Sequence, residues 1–436
     1  MKITGAQAVI ECLAEQGVDT VFGYPGGAIL NIYDELYKHQ SRIRHILTAH
    51  EQGAAHAADG YSRSTGKTGV VMATSGPGAT NLVTGIAAAY MDSVSVVVIT
   101  CNVFEHLLGK DSFQEVDIAG ITMPVTKHNY IVRDAAILPY VIREAFVIAK
   151  NGRPGPVLID IPKNITLAVI DYEPLSAVEL ATTFKNQGRI TRITAKPVIS
   201  DDEIQDAASA INKAERPILY AGGGVIIADA ALEVEQLAER AHIPVVVSLM
   251  GKTAIPSAHP LCLGMAGMHG TKAANMACVK SDLIIAAGAR FSDRAVSNLE
   301  KFSNHGAVLQ LDIDPAEINK NVHVRGSLIG DLKTIIRRLL PLVDARAASA
   351  WNAQAAEWQK IIPPMYTKKI ALHPKVMFEK IHAVLGDDTI ITTEVGQHQM
   401  WTAQFYPFSK PRTFITSGGA GRDGIRHGGR YRRANR

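Results

Sequence analysis

Val70-Val71-Met72-Ala73-Thr74-Ser75-Gly76-Pro77-Gly78-Ala79-Thr80-Asn81 is the stretch that decides the fold. A strand-length apolar run that breaks into Gly-Pro-Gly and then into small helix-forming residues reads as one strand, loop and helix of a parallel sheet. Upstream, Gly23-Tyr24-Pro25-Gly26-Gly27 has the same character. Between the two lies His50-Glu51-Gln52-Gly53-Ala54-Ala55-His56-Ala57-Ala58-Asp59-Gly60-Tyr61-Ser62-Arg63, which sets one carboxylate at the mouth of a helix of unusually small residues. Such loops, each after a predicted strand, converge at one edge of a parallel sheet, where open α/β sheets bind ligands. A single acid there suggests proton chemistry; the plain alternative is a charge favoured by a helix N-terminus.

Neighbouring patterns fail on spacing. His50 and His56 are six apart, so they do not share a helix face as a zinc pair does. Five residues separate Gly60 from Gly66-Lys67-Thr68 where a phosphate-binding loop has four, and the segment precedes its strand. Cys12, Cys101, Cys262 and Cys278 form no C-x-x-C pair, so buried thiols are expected and a cysteine metal site is not. At 47% hydrophobic and 20% charged residues the chain reads as soluble and globular. No apolar run approaches the roughly 18 residues of a membrane span, and no signal-peptide pattern follows Met1, so the expected location is cytoplasmic.

The 436 residues suggest more than one domain. Residues 1–165 read as a doubly wound α/β domain with strands Val70 to Thr74, Val94 to Thr100 and Val157 to Asp160. Residues 166–196 read as a linker, 197–345 as a second α/β domain, 346–372 as another linker, and 373–420 as the start of a third domain. The second domain's strands are Pro217 to Tyr220, Pro244 to Ser248, Leu283 to Ala286 and Val308 to Asp312, with Gly222-Gly223-Gly224 and Gly288-Ala289-Arg290 after two of them. No G-x-G-x-x-G is present, so a dinucleotide site does not follow from pattern, and most such glycines are simply turns.

These motifs, from about Met1 to Ser417, resemble those of the thiamine-diphosphate enzymes, and within them the acetolactate synthase large subunits. The resemblance implies parallel-sheet α/β domains, thiamine diphosphate with Mg2+, and a largely structural FAD. It implies decarboxylation of pyruvate and condensation with pyruvate or 2-ketobutyrate, in branched-chain amino-acid (valine and isoleucine) synthesis. By position, Glu51 exchanges a proton with the cofactor's pyrimidine ring, a task suited to a carboxylate walled by alanines. Pro25, Thr74, Asn81 and Val395-Gly396-Gln397-His398 contact thiamine diphosphate. Gln114 and the Gly27 backbone lie near the reacting carbon, Phe113 and Met268 wall the pocket, Lys163 lies at its entrance, and Arg294 holds the acceptor carboxylate. FAD falls to Arg153, Gly222, Gly223, Gly224, Met268, His269, Gly270, Thr271, Gly288, Arg290, Asp312 and Asp331. Each has a plainer reading: Phe113 as core, Lys163 and Arg294 as solvated charges, His269 and Asp312 as loop caps.

The resemblance also implies 2-keto acid substrates, a homodimer or tetramer with a small regulatory subunit, and no nucleic-acid or membrane partner. Departures from it cluster at Ser95, Cys101, Phe104, Glu105 and His106, with Ser292 besides. Residues 421–436 carry six arginines against one aspartate, a balance of +5 against a net charge of +4, so the rest of the chain is nearly neutral at −1. An Arg/Gly-rich nucleic-acid arm is one reading of them; a shifted reading frame is the more economical one. On that reading the magnesium motif is missing, no metal ligand is assigned, and the chain alone is expected to have little activity. The alternatives are a non-catalytic FAD-binding or dimerising remnant, or a related enzyme such as pyruvate oxidase.

Overall fold

The apolar runs become strands buried at every position: Gly69–Ala73, Val96–Asn102 and Val157–Pro162 in one sheet, Pro217–Ala221 and Leu283–Ala287 in another. The computed structural model describes residues 1–176, 179, 199–296, 306–361 and 373–421. Most of the first expected linker, part of the second and the arginine-rich tail lie outside the described residues. The chain divides into two compact units, residues 1–195 with 417–436, and residues 196–416.

In the first unit the strands are β1 (Lys2–Thr4), β2 (Thr20–Tyr24), β3 (Arg44–Leu47), β4 (Gly69–Ala73), β5 (Val96–Asn102), β6 (His128–Ile131), β7 (Val157–Pro162) and β8 (Val169–Asp171). Six form a parallel sheet in the order β3-β2-β4-β5-β7-β6. Helices Gly5–Glu15, Leu30–Lys38 and Leu138–Lys150 bury their apolar faces against one side, and Glu51–Thr65 with Val83–Met91 against the other. Strand order therefore reverses between β2 and β4, the crevice where doubly wound sheets take ligands. The expected linker from Thr166 is corrected at its start, because β8 pairs antiparallel with β1. Glu15 pins the residues that follow: it accepts from Arg143 Nε (2.8 Å), Leu175 N (3.0 Å) and the Tyr172 hydroxyl.

In the second unit the strands are β9 (Pro217–Ala221), β10 (Val245–Val247), β11 (Cys262–Met265), β12 (Leu283–Ala287), β13 (Ala307–Asp312), β14 (Gly326–Ile329), β15 (Ile391–Thr392) and β16 (Phe414–Ile415). The sheet runs β11-β10-β9-β12-β13-β14, all parallel, and reverses between β9 and β12. The second expected linker is likewise corrected. Residues Ala350–Gln359 form a helix whose Trp351 is buried in the core and donates its indole N–H to the Pro217 carbonyl at 3.0 Å. Residues 373–416 add helices Pro374–Leu385 and Gln397–Phe405, the short β15–β16 pair and a small core of Phe378, Tyr406 and Phe408. All four cysteines are buried free thiols. No helix among the described residues is long and apolar enough to cross a membrane.

Candidate active site

Glu51 is the first residue of the helix Glu51–Thr65, where the exposed backbone N–H groups favour a negative charge. His50 caps that helix, its Nδ1 accepting from Gln52 N at 3.1 Å. The alanines behind Glu51 are close-packing residues. A Cβ on Gly85 would lie 2.3 Å from the Ala55 side chain, and one on Gly69 would lie 2.1 Å from the Ala58 carbonyl. The helix thus sinks between sheet and neighbouring helix, leaving Glu51 only 9% exposed.

The loops after β2 and β4 meet around this carboxylate. Asn81 Nδ2 donates to Glu51 Oε2 at 3.0 Å. A Cβ on Gly78 would approach Thr74 Cγ2 to 2.7 Å and Glu51 Oε1 to 3.4 Å, so the missing side chain keeps Oε1 approachable. Thr74 Oγ1 accepts from Ala28 N at 3.2 Å, and Gly26 presses on the same threonine, fixing the turn that begins at Pro25. Lys163, just beyond β7, donates Nζ to the Gly27 carbonyl at 3.0 Å, which is more than a free solvated charge. Gln114 has a left-handed backbone (φ 58°), and its Cα sits 2.9 Å from where a Gly76 Cβ would be. Glu51, Thr74, Asn81, Gly27, Gln114 and Lys163 are thereby brought to one edge of one sheet. Phe113 is 86% exposed, which removes the core reading for this side chain.

The flavin candidates of the second unit follow β9, β11, β12, β13 and β14 and share one sheet edge. Gly222, Gly224 and Gly288 touch one another's loops: Gly224 N donates to the Gly288 carbonyl at 3.0 Å. A Cβ on Gly222 would lie 2.1 Å from Gly288 O, and one on Gly288 (φ 57°) would lie 2.6 Å from Gly224 Cα. Thr271 caps the helix Lys272–Lys280, and Asp331 caps Leu332–Leu339 by accepting from Thr334 N at 2.9 Å. The His269 carbonyl accepts from Gln404 Nε2 at 2.7 Å. Asp312 accepts from Asp314 N at 3.0 Å, and burial, reinforced by the charges of Glu317 and Asp314, pushes its carboxyl up to about 6. Met268 N donates to the Arg294 carbonyl at 3.0 Å, so two pocket candidates are adjacent. The Arg294 side chain itself is 73% exposed and, among the described residues, its guanidinium pairs only loosely with Asp293, at 3.7 Å. Arg153, the remaining candidate, belongs to the first unit and donates Nε to Ser93 Oγ at 2.8 Å.

Val395-Gly396-Gln397-His398 turns into the helix Gln397–Phe405 through Gly396 (φ 151°). His398 Nε2 is buried with no hydrogen-bond partner among the described residues. Within the first unit, the near-buried Glu51 and the glycine-lined approach to Oε1 fit the ring of a ring-bearing cofactor. Sequence reasoning missed Asn275, whose amide bonds both the N–H and the carbonyl of Gly267 (2.9 and 3.0 Å) and so shapes the 267–271 turn. Nothing in the sequence marks that pairing. Glu235, Glu239 and His259 come within reach of a single cation. Leu261 N–H donates to His259 Nδ1, however, which places the proton on Nε2 facing the carboxylates and makes the trio a hydrogen-bonded cluster rather than a ligand set.

Comparison with known proteins places this geometry in context. The chain matches the models for the thiamine pyrophosphate enzyme N-terminal TPP binding domain over residues 3–121, the central domain over 204–339 and the C-terminal TPP binding domain over 394–428. It is 45% identical over 432 residues to an acetolactate synthase of Mycobacterium bovis, covering 97% of this chain and 68% of that one. To acetolactate synthase isozyme 1 large subunit of Escherichia coli it is 45% identical over 427 residues, covering 97% and 73%. To an acetolactate synthase of Arthrospira platensis it is 44% identical over 438 residues, covering 96% and 73%.

Proposed function

The chain belongs to the acetolactate synthase large subunits of the thiamine-diphosphate enzymes, and from that premise we propose that the β2–β4 crevice is its catalytic centre. The family reaction decarboxylates pyruvate and joins the remaining two-carbon unit to pyruvate or 2-ketobutyrate, a step of branched-chain amino-acid biosynthesis. The family's cofactors are thiamine diphosphate, magnesium and FAD. Thiamine diphosphate, when bound, supplies the sink for the electron pair that pyruvate releases with carbon dioxide. The remaining work falls to side chains of this chain.

Glu51 takes and returns a proton through Oε1, while the Asn81 amide holds Oε2 and fixes the orientation of the carboxylate. Thr74 and the turn from Pro25 to Ala28 shape the floor, and Val395 to His398 serve the diphosphate. Gln114 orients the reacting fragment, and the Lys163–Gly27 bond holds the Gly27 backbone in place at the entrance. Arg294 receives the carboxylate of the acceptor through a charge-assisted fork. In the second unit the flavin candidates hold FAD as a structural group. Phe113, too exposed to be core, and Met268 close the pocket in an oligomer of this chain, which works in the cytoplasm with a small regulatory subunit.

The observation that carries this reading is the Asn81–Glu51 pair at the strand-order reversal. Its test is product analysis in a chain with its reading frame restored after about residue 420, the form in which activity is expected and in which the activity measurements below are made: given thiamine diphosphate, magnesium, FAD, pyruvate and 2-ketobutyrate, it yields acetolactate and acetohydroxybutyrate. Acetyl phosphate and hydrogen peroxide in their place would assign the chain to the pyruvate oxidases.

A further inference from the structure

One buried acid takes no part in the chemistry above. Asp160 lies in β7, Val157-Leu158-Ile159-Asp160-Ile161-Pro162, an otherwise apolar strand buried on both faces, and is itself 2% exposed. Burying a carboxylate is costly unless its oxygens are satisfied, so a lone acid in such a strand needs a reason. Both oxygens are in fact satisfied. In the β5–β7 register Thr100 stands opposite Asp160, and the two-residue period of the strand puts Asn102 on the same face. Thr100 Oγ1 donates to Asp160 Oδ1 at 2.7 Å, and Asn102 Nδ2 donates to Oδ2 at 2.8 Å.

Asn102 passes this contact on. Its Oδ1 accepts from Val103 N at 2.9 Å, and its Nδ2 also reaches the Val116 carbonyl at 3.3 Å. One side chain therefore ties down both ends of the 103–116 loop. A second tie comes from the residues just after β7, where Asn164 Oδ1 accepts from Glu105 N at 2.8 Å. Between these anchors the loop carries exposed Phe113 and the left-handed Gln114, whose backbone rests on Gly76. A left-handed non-glycine residue persists only where its surroundings over-determine it.

We propose that Asp160 is a positioning residue which, by fixing the Asn102 amide, holds the 103–116 loop so that Gln114 is presented beside Gly76 at the candidate active site. Burial pushes its carboxyl up to about 6, opposed by the Asn102 and Thr100 donors and reinforced by Asp117 and Glu115. The value of the acid is thus geometric. It is the one group in this strand that orients the Asn102 amide, with Nδ2 toward β7 and Oδ1 toward Val103 N. An asparagine at 160 keeps that arrangement, accepting from Asn102 and donating to Thr100, whereas alanine abolishes it.

The loop offers its own reporter, the exposed Lys110. Limited trypsin digestion of the full chain, with fragments identified by mass, compares cleavage after Lys110 with cleavage after Arg63, whose guanidinium is buried between Asp59 and Asp92. In Asp160→Ala and in Asn102→Ala, cleavage after Lys110 accelerates at least ~10-fold while cleavage after Arg63 is unchanged, the signature of local opening. Asp160→Asn stays within ~3-fold of the parent, since its hydrogen bonds survive. Unchanged cleavage at Lys110 in both alanine variants, or equal acceleration at both sites, overturns the anchoring.

The consequence for catalysis rests on the role given to Gln114 and is read separately. Asp160→Ala and Gln114→Ala each lower acetolactate formation, and the double variant loses no more than the worse single one. Multiplying losses overturn the link from Asp160 to Gln114. A Gln114→Ala enzyme with full activity overturns the reading of Gln114 and leaves the digestion result standing.

Discussion

The two sheets share strand count, parallel order and a reversal point with glycine-rich loops on both flanks, yet the glycines there do different things. In the first sheet Gly26, Gly76 and Gly78 press on Thr74 and Gln114, but Gly27 leaves room, with nothing among the described residues within 4 Å of a Cβ there, and Gly78 keeps Oε1 approachable. In the second, Gly222, Gly224 and Gly288 are spent on one another, because their loops pass too close for any side chain. A glycine after a strand is therefore not by itself a ligand signal. What fills its empty side decides whether the crevice is a site of chemistry or a packed junction on which a flat group rests.

The largest expected effect is at the one acid of the first crevice. Glu51→Gln preserves shape and can still meet the Asn81 amide, but cannot exchange a proton, so acetolactate formation falls by roughly 10²–10⁴. Flavin absorbance of the purified protein stays, because the second crevice is untouched. Activity within a few-fold of the parent removes Glu51 from the mechanism and, with it, the distinction between the two crevices.

A pair of alanine substitutions sharpens the contrast next. Gly288→Ala places a Cβ 2.6 Å from Gly224 Cα at a left-handed position, a change expected to cost roughly 2–4 kcal/mol through backbone strain and overpacking. Gly27→Ala meets open space and leaves stability within ~0.5 kcal/mol, while weakening thiamine diphosphate binding. Urea denaturation with parallel cofactor titration measures both. Equal destabilisation by the two substitutions would show that the crevices are packed alike.

Much of this contrast is hidden from sequence for definite reasons. Interior strands were legible because burial on both faces demands continuous apolar runs such as Val96 to Ile99. The edge strands Arg44–Leu47, His128–Ile131 and Gly326–Ile329 carry half-buried mixed residues and announce nothing. Glu51 was legible through its company of alanines, but the Asn81 amide that holds it lies thirty residues away in sequence and ties to it through space alone. The Ala350–Gln359 helix was hidden because its alanines are spread around the helix and mark no single face, which leaves Trp351 and Trp358, whose rings meet edge to face at 5.6 Å, to hold it to the core. The mutual packing of the second crevice's glycines has no local signature either.

Arg294 tests whether the two units divide the reaction. Its guanidinium is exposed and makes only the loose pair with Asp293 among the described residues, so Arg294→Ala should leave stability unchanged and remove one charge-assisted contact to the acceptor, roughly 1.5–3 kcal/mol. Carboligation then falls by about 10- to 100-fold, while carbon dioxide release from pyruvate holds. Comparing carbon dioxide with acetolactate output measures the split; equal losses in both steps would make this arginine structural.

Asp312 offers the smallest effect and the finest comparison. Glu51 has an amide donor from Asn81, whereas Asp312 has backbone N–H contacts and the like charges of Glu317 and Asp314 nearby, and burial holds it at about 6. Its unfolded value is the ordinary one for aspartate, ~4. The folded state thus binds the proton more tightly, and the resulting stability is fully present below about pH 4 and lost as pH rises through about 6. The gap between about 4 and about 6 corresponds to at most ~2–3 kcal/mol. Asp312→Asn removes the dependence: in urea melts, the variant gains up to ~2 kcal/mol on the parent between about pH 4 and pH 7. A gain in the opposite direction would mean that the Asp312 carboxylate is ionised and well bonded in the fold, and that the second crevice holds a charge rather than a proton.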